Sequence, residues 1–165
     1  MKKSKRISII ALLIALAFAL SFLESLVPIN LGIPGVKVGL ANLVVLVSIY
    51  VLPKRDAFFI SMVRILLAGL IFSGAFSLLY SFVGGILSFA VMILAQKNKH
   101  LSIIGVSILG GVAHNIGQIA TAICVVNTYR LIYYFPVLLI SGTVAGVVVG
   151  LISGIIVTRL PLKAK

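Results

Sequence analysis

The sequence predicts an all-α polytopic membrane protein, a six-transmembrane-helix bundle in which residues 1–165 form a single integral membrane domain with both termini cytoplasmic. Three observations carry this prediction. Hydrophobic residues make up 62% of the chain and charged residues only 10%, with a mean hydropathy of +1.31, far outside the range of soluble domains. The apolar residues gather into six runs of the size needed to cross a hydrocarbon core, roughly 20 residues for about 30 Å. The Lys and Arg residues are distributed unequally between the connections. The runs are continuous rather than alternating with period two, which argues against a β-barrel.

The first run, near 7–23, follows the basic segment "MKKSKR". A cleavable signal peptide has the same features, including the A-x-A-like site in "AFALS". An uncleaved first helix accounts for them equally and makes the number of spans even. The connection "ESLVPINLGIPGVKVGLAN", residues 24–42, carries Pro28, Gly32, Pro34 and Gly35 and is a shaped outer loop. Its apolar Leu26, Val27, Ile29, Leu31 and Ile33 suit a lid over a cavity, or equally a loop resting on lipid headgroups. Spans two and three, near 38–52 and 57–73, are short and are divided by Pro53 and "KRD". Spans four, five and six follow near 75–95, 101–126 and 131–157. The single cysteine, Cys124, lies in an apolar run and forms no internal disulfide.

Cytoplasmic connections are enriched in Lys and Arg. With the N-terminus inside, the inner segments hold Lys2, Lys3, Lys5, Arg6, Lys54, Arg55, Lys97, Lys99, Arg159, Lys163 and Lys165. The outer loops hold Lys37 and Arg130, and Arg64 falls within a span. The net charge of +12 is therefore topogenic. It is spread over four membrane-proximal segments facing anionic headgroups, with no compact basic face, so nucleic acid is not expected as a partner.

Within the spans, "GGVAHNIGQIATA" places Ser107, Gly111, His114, Gln118 and Thr121 on one stripe of the fifth helix, with Asn115 at its border. Such a face must meet protein or trapped water, because unpaired polar groups in hydrocarbon cost several kcal/mol. Arg64, in "SMVRILLAG", costs at least about 2.5–3.5 kcal/mol near the membrane centre unless a partner receives it. The only acids in the chain are Glu24 and Asp56. Asp56 belongs to a cytoplasmic turn, which leaves Glu24 as the partner within reach, or else an anionic ligand. The expected substrate-binding set is Arg64, His114, Asn115, Gln118, Asn42, Glu24 and Lys37, lining a polar cavity that opens outward. Metal ligation needs further His, Cys or carboxylate ligands, so no metal site is expected.

Small-residue stripes mark helix contacts. The fourth span has Ser77, Ser81, Gly84 and Ser88, and the sixth has Gly142, Gly146, Gly150 and Gly154 at intervals of four. This glycine ridge suits an internal or an intermolecular contact. Ala11, Ala15 and Ala19 form a weaker ridge in the first span.

Taken together, "ESLVPINLGIPGVKVGLAN", "VRILLAGLIFSG", "SFVGGILS" and above all "GVAHNIGQ" give the chain a resemblance, over nearly its whole length, to the bacterial heptaprenyl diphosphate synthase component I family, also called the Gx transporter family. That family is similar to the S components of energy-coupling-factor transporters, six-helix membrane proteins that capture solutes. The resemblance implies docking of Ala11, Ala15 and Ala19 on a coupling transmembrane subunit, capping of the pocket by residues 24–37, and partner ATPases. The leading expectation is a substrate-capture subunit of the cell (cytoplasmic) membrane, taking a small anionic or amphipathic solute from outside. The alternative is a non-catalytic accessory subunit or scaffold for a polyprenyl diphosphate synthase or a quinone or flavin electron-transfer system. Chain-elongating prenyl transfer holds Mg²⁺ on clustered aspartates. With two isolated acids and no nucleotide-binding loop, the chain is not expected to be an enzyme, and no cofactor is expected.

Overall fold

Long apolar runs free of internal proline propagate as helices, because lipid leaves the backbone no hydrogen-bond partner but itself. The computed structural model describes residues 3–26 and 39–160. Within them lie α1 (Lys3–Leu26), α2 (Leu40–Val51), α3 (Lys54–Ala68), α4 (Gly74–Gln96), α5 (Ile103–Val126) and α6 (Phe135–Arg159), and no strand occurs among these residues. A π-helical turn, Gly69–Ser73, joins α3 to α4, and a 3₁₀ turn, Tyr129–Tyr134, precedes α6. The described part of the chain is thus all-helical.

Four helical segments are long and apolar enough to cross a membrane: α1, α4, α5 and the continuous stretch Tyr129–Arg159. The expected second span is shorter than a crossing. α2 has 12 residues, roughly 18 Å at the α-helical rise, and it is buried on nearly every side, with Val44, Val45, Leu46 and Ile49 at most 2% exposed. An apolar run between breakers reads the same whether it faces lipid or the centre of a bundle, and α2 does the latter. α3 is also short, at 15 residues, and the π turn extends it.

Neighbouring helices in the chain run antiparallel, and α2 also packs on α6, while α1 packs on α2 and α3. The N-terminal end of α1, the α2–α3 and α4–α5 turns and the C-terminal end of α6 therefore share one end of the bundle. In the half at that end, Leu46 and Ile49 of α2 meet Phe89 and Met92 of α4, Val106 of α5 and Val149 of α6 in one apolar cluster.

Close approach between α4, α5 and α6 rests on glycine. A Cβ on Gly117 would stand 2.7 Å from the Gly84 Cα, and one on Gly111 2.5 Å from the Gly142 carbonyl oxygen. On Gly146 and Gly150 it would stand 2.6 Å and 2.7 Å from the Cα atoms of Ile108 and Ile104. The ridge on α6 is thus an internal seam with α5. Lipid supplies no hydrophobic drive between helices, so van der Waals contact at such seams holds the bundle together. Gly154 shares the spacing but has nothing within 4 Å of an added Cβ.

α1 is the least enclosed helix, with Ala17 alone fully buried. Arg6 fastens one end, its Nε donating to Asp56 Oδ2 at 2.7 Å and its Nη2 to Oδ1. At the other end, Phe18 and Phe22 pack on Phe72 of the π turn with centroids 5.2 and 5.6 Å apart. Ala11, Ala15 and Ala19 lie exposed.

Candidate functional site

The half of the bundle opposite the α1 N-terminus holds a cavity of about 130 Å³. Arg64, His114, Asn115, Gln118, Asn42 and Glu24 all line it. Lys37 and the greater part of the expected cap, residues 27–37, lie outside the described residues. The helix ends flanking that connection contribute directly, through Glu24 and Ser25 of α1 and Gly39 before α2.

Arg64 projects from α3 ten residues into the helix. Its Nη2 donates to Asn42 Oδ1 at 3.3 Å, while Nε is buried without a hydrogen-bond partner. The side chain as a whole remains partly accessible through the cavity. The ion pair with Glu24 that stood as the alternative to an anionic ligand does not form within 4.0 Å, although Glu24 is near enough for its charge to act on Arg64. The Glu24 carboxylate accepts from the Gly39 N–H instead. Gly39 has φ of 77°, a left-handed conformation that glycine adopts without steric cost, and this turns the chain into α2 with its first N–H facing Glu24. A carboxylate at a helix N-terminus is favourable for the same reason that anions bind there.

The fifth-helix polar residues divide by role. Asn115 Nδ2 donates to the Leu138 carbonyl at 2.6 Å and lies 3.4 Å from Ser141 Oγ, so its amide clamps α5 to α6 while its side chain borders the cavity. His114 sits against α4 at Gly84, where an added Cβ would stand 2.7 Å from the His114 carbonyl oxygen and 3.2 Å from Nδ1. The missing side chain lets the imidazole seat there. Gln118 lines the cavity one turn further along α5. Thr121, on the same stripe, returns its hydroxyl to the Gly117 carbonyl at 2.7 Å and is absent from the lining.

Residues that the sequence reading did not assign complete the wall. Ser21 and Ser25 join Glu24 on one stripe of α1, and Phe72 supplies an aromatic side. The spacing of 21, 24 and 25 signals this stripe, as three- and four-residue intervals place side chains on one helix face. Phe72 lies eight residues from Arg64, but the intervening π turn obscures the register.

The sequence profile of heptaprenyl diphosphate synthase component I matches residues 13–156. The chain belongs to that family. Comparison with curated proteins and with solved structures gives no match. The matched range of this component I chain contains every described residue of the cavity wall, from Ser21 to Ala145. Arg6 and Ala11 precede it.

Among the described residues no group of three or more His, Cys, Asp or Glu side chains gathers in a metal-ligating arrangement. The described part of the wall offers instead one guanidinium, one carboxylate, one imidazole and amide and hydroxyl groups, a set suited to holding a small polar molecule by charge and hydrogen bonds.

Proposed function

We propose that this component I chain is a membrane-embedded substrate-capture subunit, binding a small solute through an anionic group at Arg64 and relying on partner proteins for energy. The observation that carries this reading is the Arg64 guanidinium, which has no carboxylate in ion-pair range and a buried Nε without a partner, at the wall of a cavity inside the helix bundle. A charge-assisted hydrogen bond to a carboxylate or phosphate oxygen satisfies such a group. The cavity is comparable to one of about 150 Å³ that holds benzene, so a heptaprenyl chain is far too large to enter it whole. The charge distribution favours insertion in the cytoplasmic membrane with the cavity on the outer side. Exposure of Ala11, Ala15 and Ala19 is compatible with docking on a coupling subunit that works with ATPases.

The test is native mass spectrometry of the purified protein for co-purifying small molecules, with Arg64→Ala and His114→Ala variants beside the wild type. A bound acid present in the wild type and lost from Arg64→Ala supports the reading. Equal occupancy in all three refutes the assigned pocket.

The family description favours a second reading, an accessory membrane component that partners a prenyl diphosphate synthase. In either case we propose that the chain is non-catalytic. Glu24 and Asp56 stand at opposite ends of the bundle, with Asp56 engaged by Arg6, whereas diphosphate-bound Mg²⁺ requires carboxylates acting together. Affinity purification separates the two: an ATPase with a coupling subunit favours transport, and a synthase subunit favours the accessory role.

A further inference from the structure

Among the described residues, the cavity wall carries a guanidinium and a carboxylate with no ion pair between them within 4.0 Å. Arg64 and Glu24 both line it, yet no ion pair joins them. Each is anchored separately, Arg64 on Asn42 and Glu24 on the Gly39 N–H. In a low-dielectric interior the energetic consequences of charge balance are large. A purely anionic ligand at Arg64 places a second negative charge beside Glu24, and a purely cationic one places a second positive charge beside Arg64. A compact molecule carrying both charges leaves the balance between Arg64 and Glu24 unchanged and satisfies each of them.

We infer that the cavity takes a compact amphoteric ligand, its carboxylate or phosphate held by Arg64 and its ammonium by Glu24, with Asn42 and Gln118 as neutral hydrogen-bonding neighbours. This rests on the reading of the cavity as a site for an anionic group and adds the second charge. The size of the space sets the scale at about six non-hydrogen atoms, that of benzene in a similar cavity. The same chemistry occurs in free amino acids and in an ammonium-bearing phospholipid headgroup.

The experiment measures the unfolding midpoint of the full-length protein in detergent against three probes of matched skeleton: β-alanine, propionate and propylamine. The expected result is a rise of about 3 °C or more with saturating β-alanine and at least tenfold weaker effects from the two singly charged probes. Glu24→Gln abolishes the advantage of β-alanine over propionate, and Arg64→Gln abolishes stabilisation by both. Stabilisation by phosphatidylethanolamine but not phosphatidylglycerol, without a β-alanine effect, supports the same charge arrangement with a lipid headgroup as its source. Propionate acting as strongly as β-alanine, with Glu24→Gln neutral, overturns the amphoteric ligand while leaving the anionic site standing. Absence of any effect from these probes and lipids, or effects unchanged by Arg64→Gln, overturns both. The wild-type comparison decides between one charge and two even if a variant fails to fold.

Discussion

The Arg64 guanidinium reaches across from α3 to the first turn of α2, where Nη2 donates to Asn42 Oδ1 at 3.3 Å. This contact joins a guanidinium on the cavity wall to the most enclosed helix of the bundle. Removing Asn42 takes away the guanidinium's acceptor without removing the charge. Asn42→Leu is expected to destabilise the protein by about 1–3 kcal/mol. Arg64→Met in the same chain should recover most of that loss, because replacing both partners leaves no orphaned donor. Thermal unfolding of the two single variants and the double variant in one detergent measures this coupling, and additive losses would show that the contact carries no energy.

The α5–α6 seam predicts unequal effects from glycines of equal spacing. Gly146→Ala places a methyl 2.6 Å from the Ile108 Cα, backbone that must move, and is expected to cost about 1–3 kcal/mol. Gly154→Ala meets nothing within 4 Å and gains helix propensity, up to about 1 kcal/mol. Unfolding midpoints of the two variants should therefore fall on opposite sides of the wild type.

That contrast also shows what was legible in the sequence. The four-residue interval of Gly142, Gly146, Gly150 and Gly154 marks a helix face, but Gly150 already meets Ile104 in the first turn of α5, so Gly154 lies past the end of that helix, a register that the interval does not encode. Similarly, helical periodicity brings His114, Asn115 and Gln118 toward one side of α5. It does not reveal that the Leu138 carbonyl captures the Asn115 amide, since that depends on the rotation of a neighbouring helix. The cost of an arginine in hydrocarbon singles out Arg64 from sequence alone. That the Gly39 N–H takes the Glu24 carboxylate depends on how the helix ends meet and is not readable from the residues alone. The α2 run is apolar in either setting, so composition cannot distinguish a buried 12-residue helix from a short span.

The Arg6–Asp56 pair fastens α1 to the start of α3 at the polar end of the bundle. Asp56 lies in the first turn of α3, and its hydrogen bonds from Arg6 hold its carboxyl below the ordinary value of 3.8, against the opposing effect of burial. A carboxyl lowered in the folded state binds fewer protons there than in the unfolded state. Its stabilising contribution is therefore complete above the unfolded value and declines as pH falls through the folded one. Exposure of Arg6 weakens the pair through solvent screening. The unfolding midpoints of wild type and Asp56→Asn should differ at neutral pH and converge below about pH 4. A constant difference across that range would exclude the pair as its source.

The two ends of the bundle differ in charge, which makes orientation measurable. Among the described residues, Lys3, Lys5, Arg6, Lys54, Arg55, Lys97, Lys99 and Arg159 belong to the end shared by the α1 N-terminus, the α2–α3 and α4–α5 turns and the α6 C-terminus. Arg130 stands at the other end, beside the exposed Tyr129 and Tyr133, where aromatic side chains suit the membrane interface. An excess of Lys and Arg is retained on the cytoplasmic side, and the orientation we propose on that rule has Glu24, Ser25 and the cavity on the outer side. In a Cys124→Ser background, Ser25→Cys and Asn127→Cys should react with a membrane-impermeant maleimide on intact cells. Lys99→Cys should react only after permeabilisation. The reverse pattern would turn the cavity toward the cytoplasm, and with it the direction from which a solute enters.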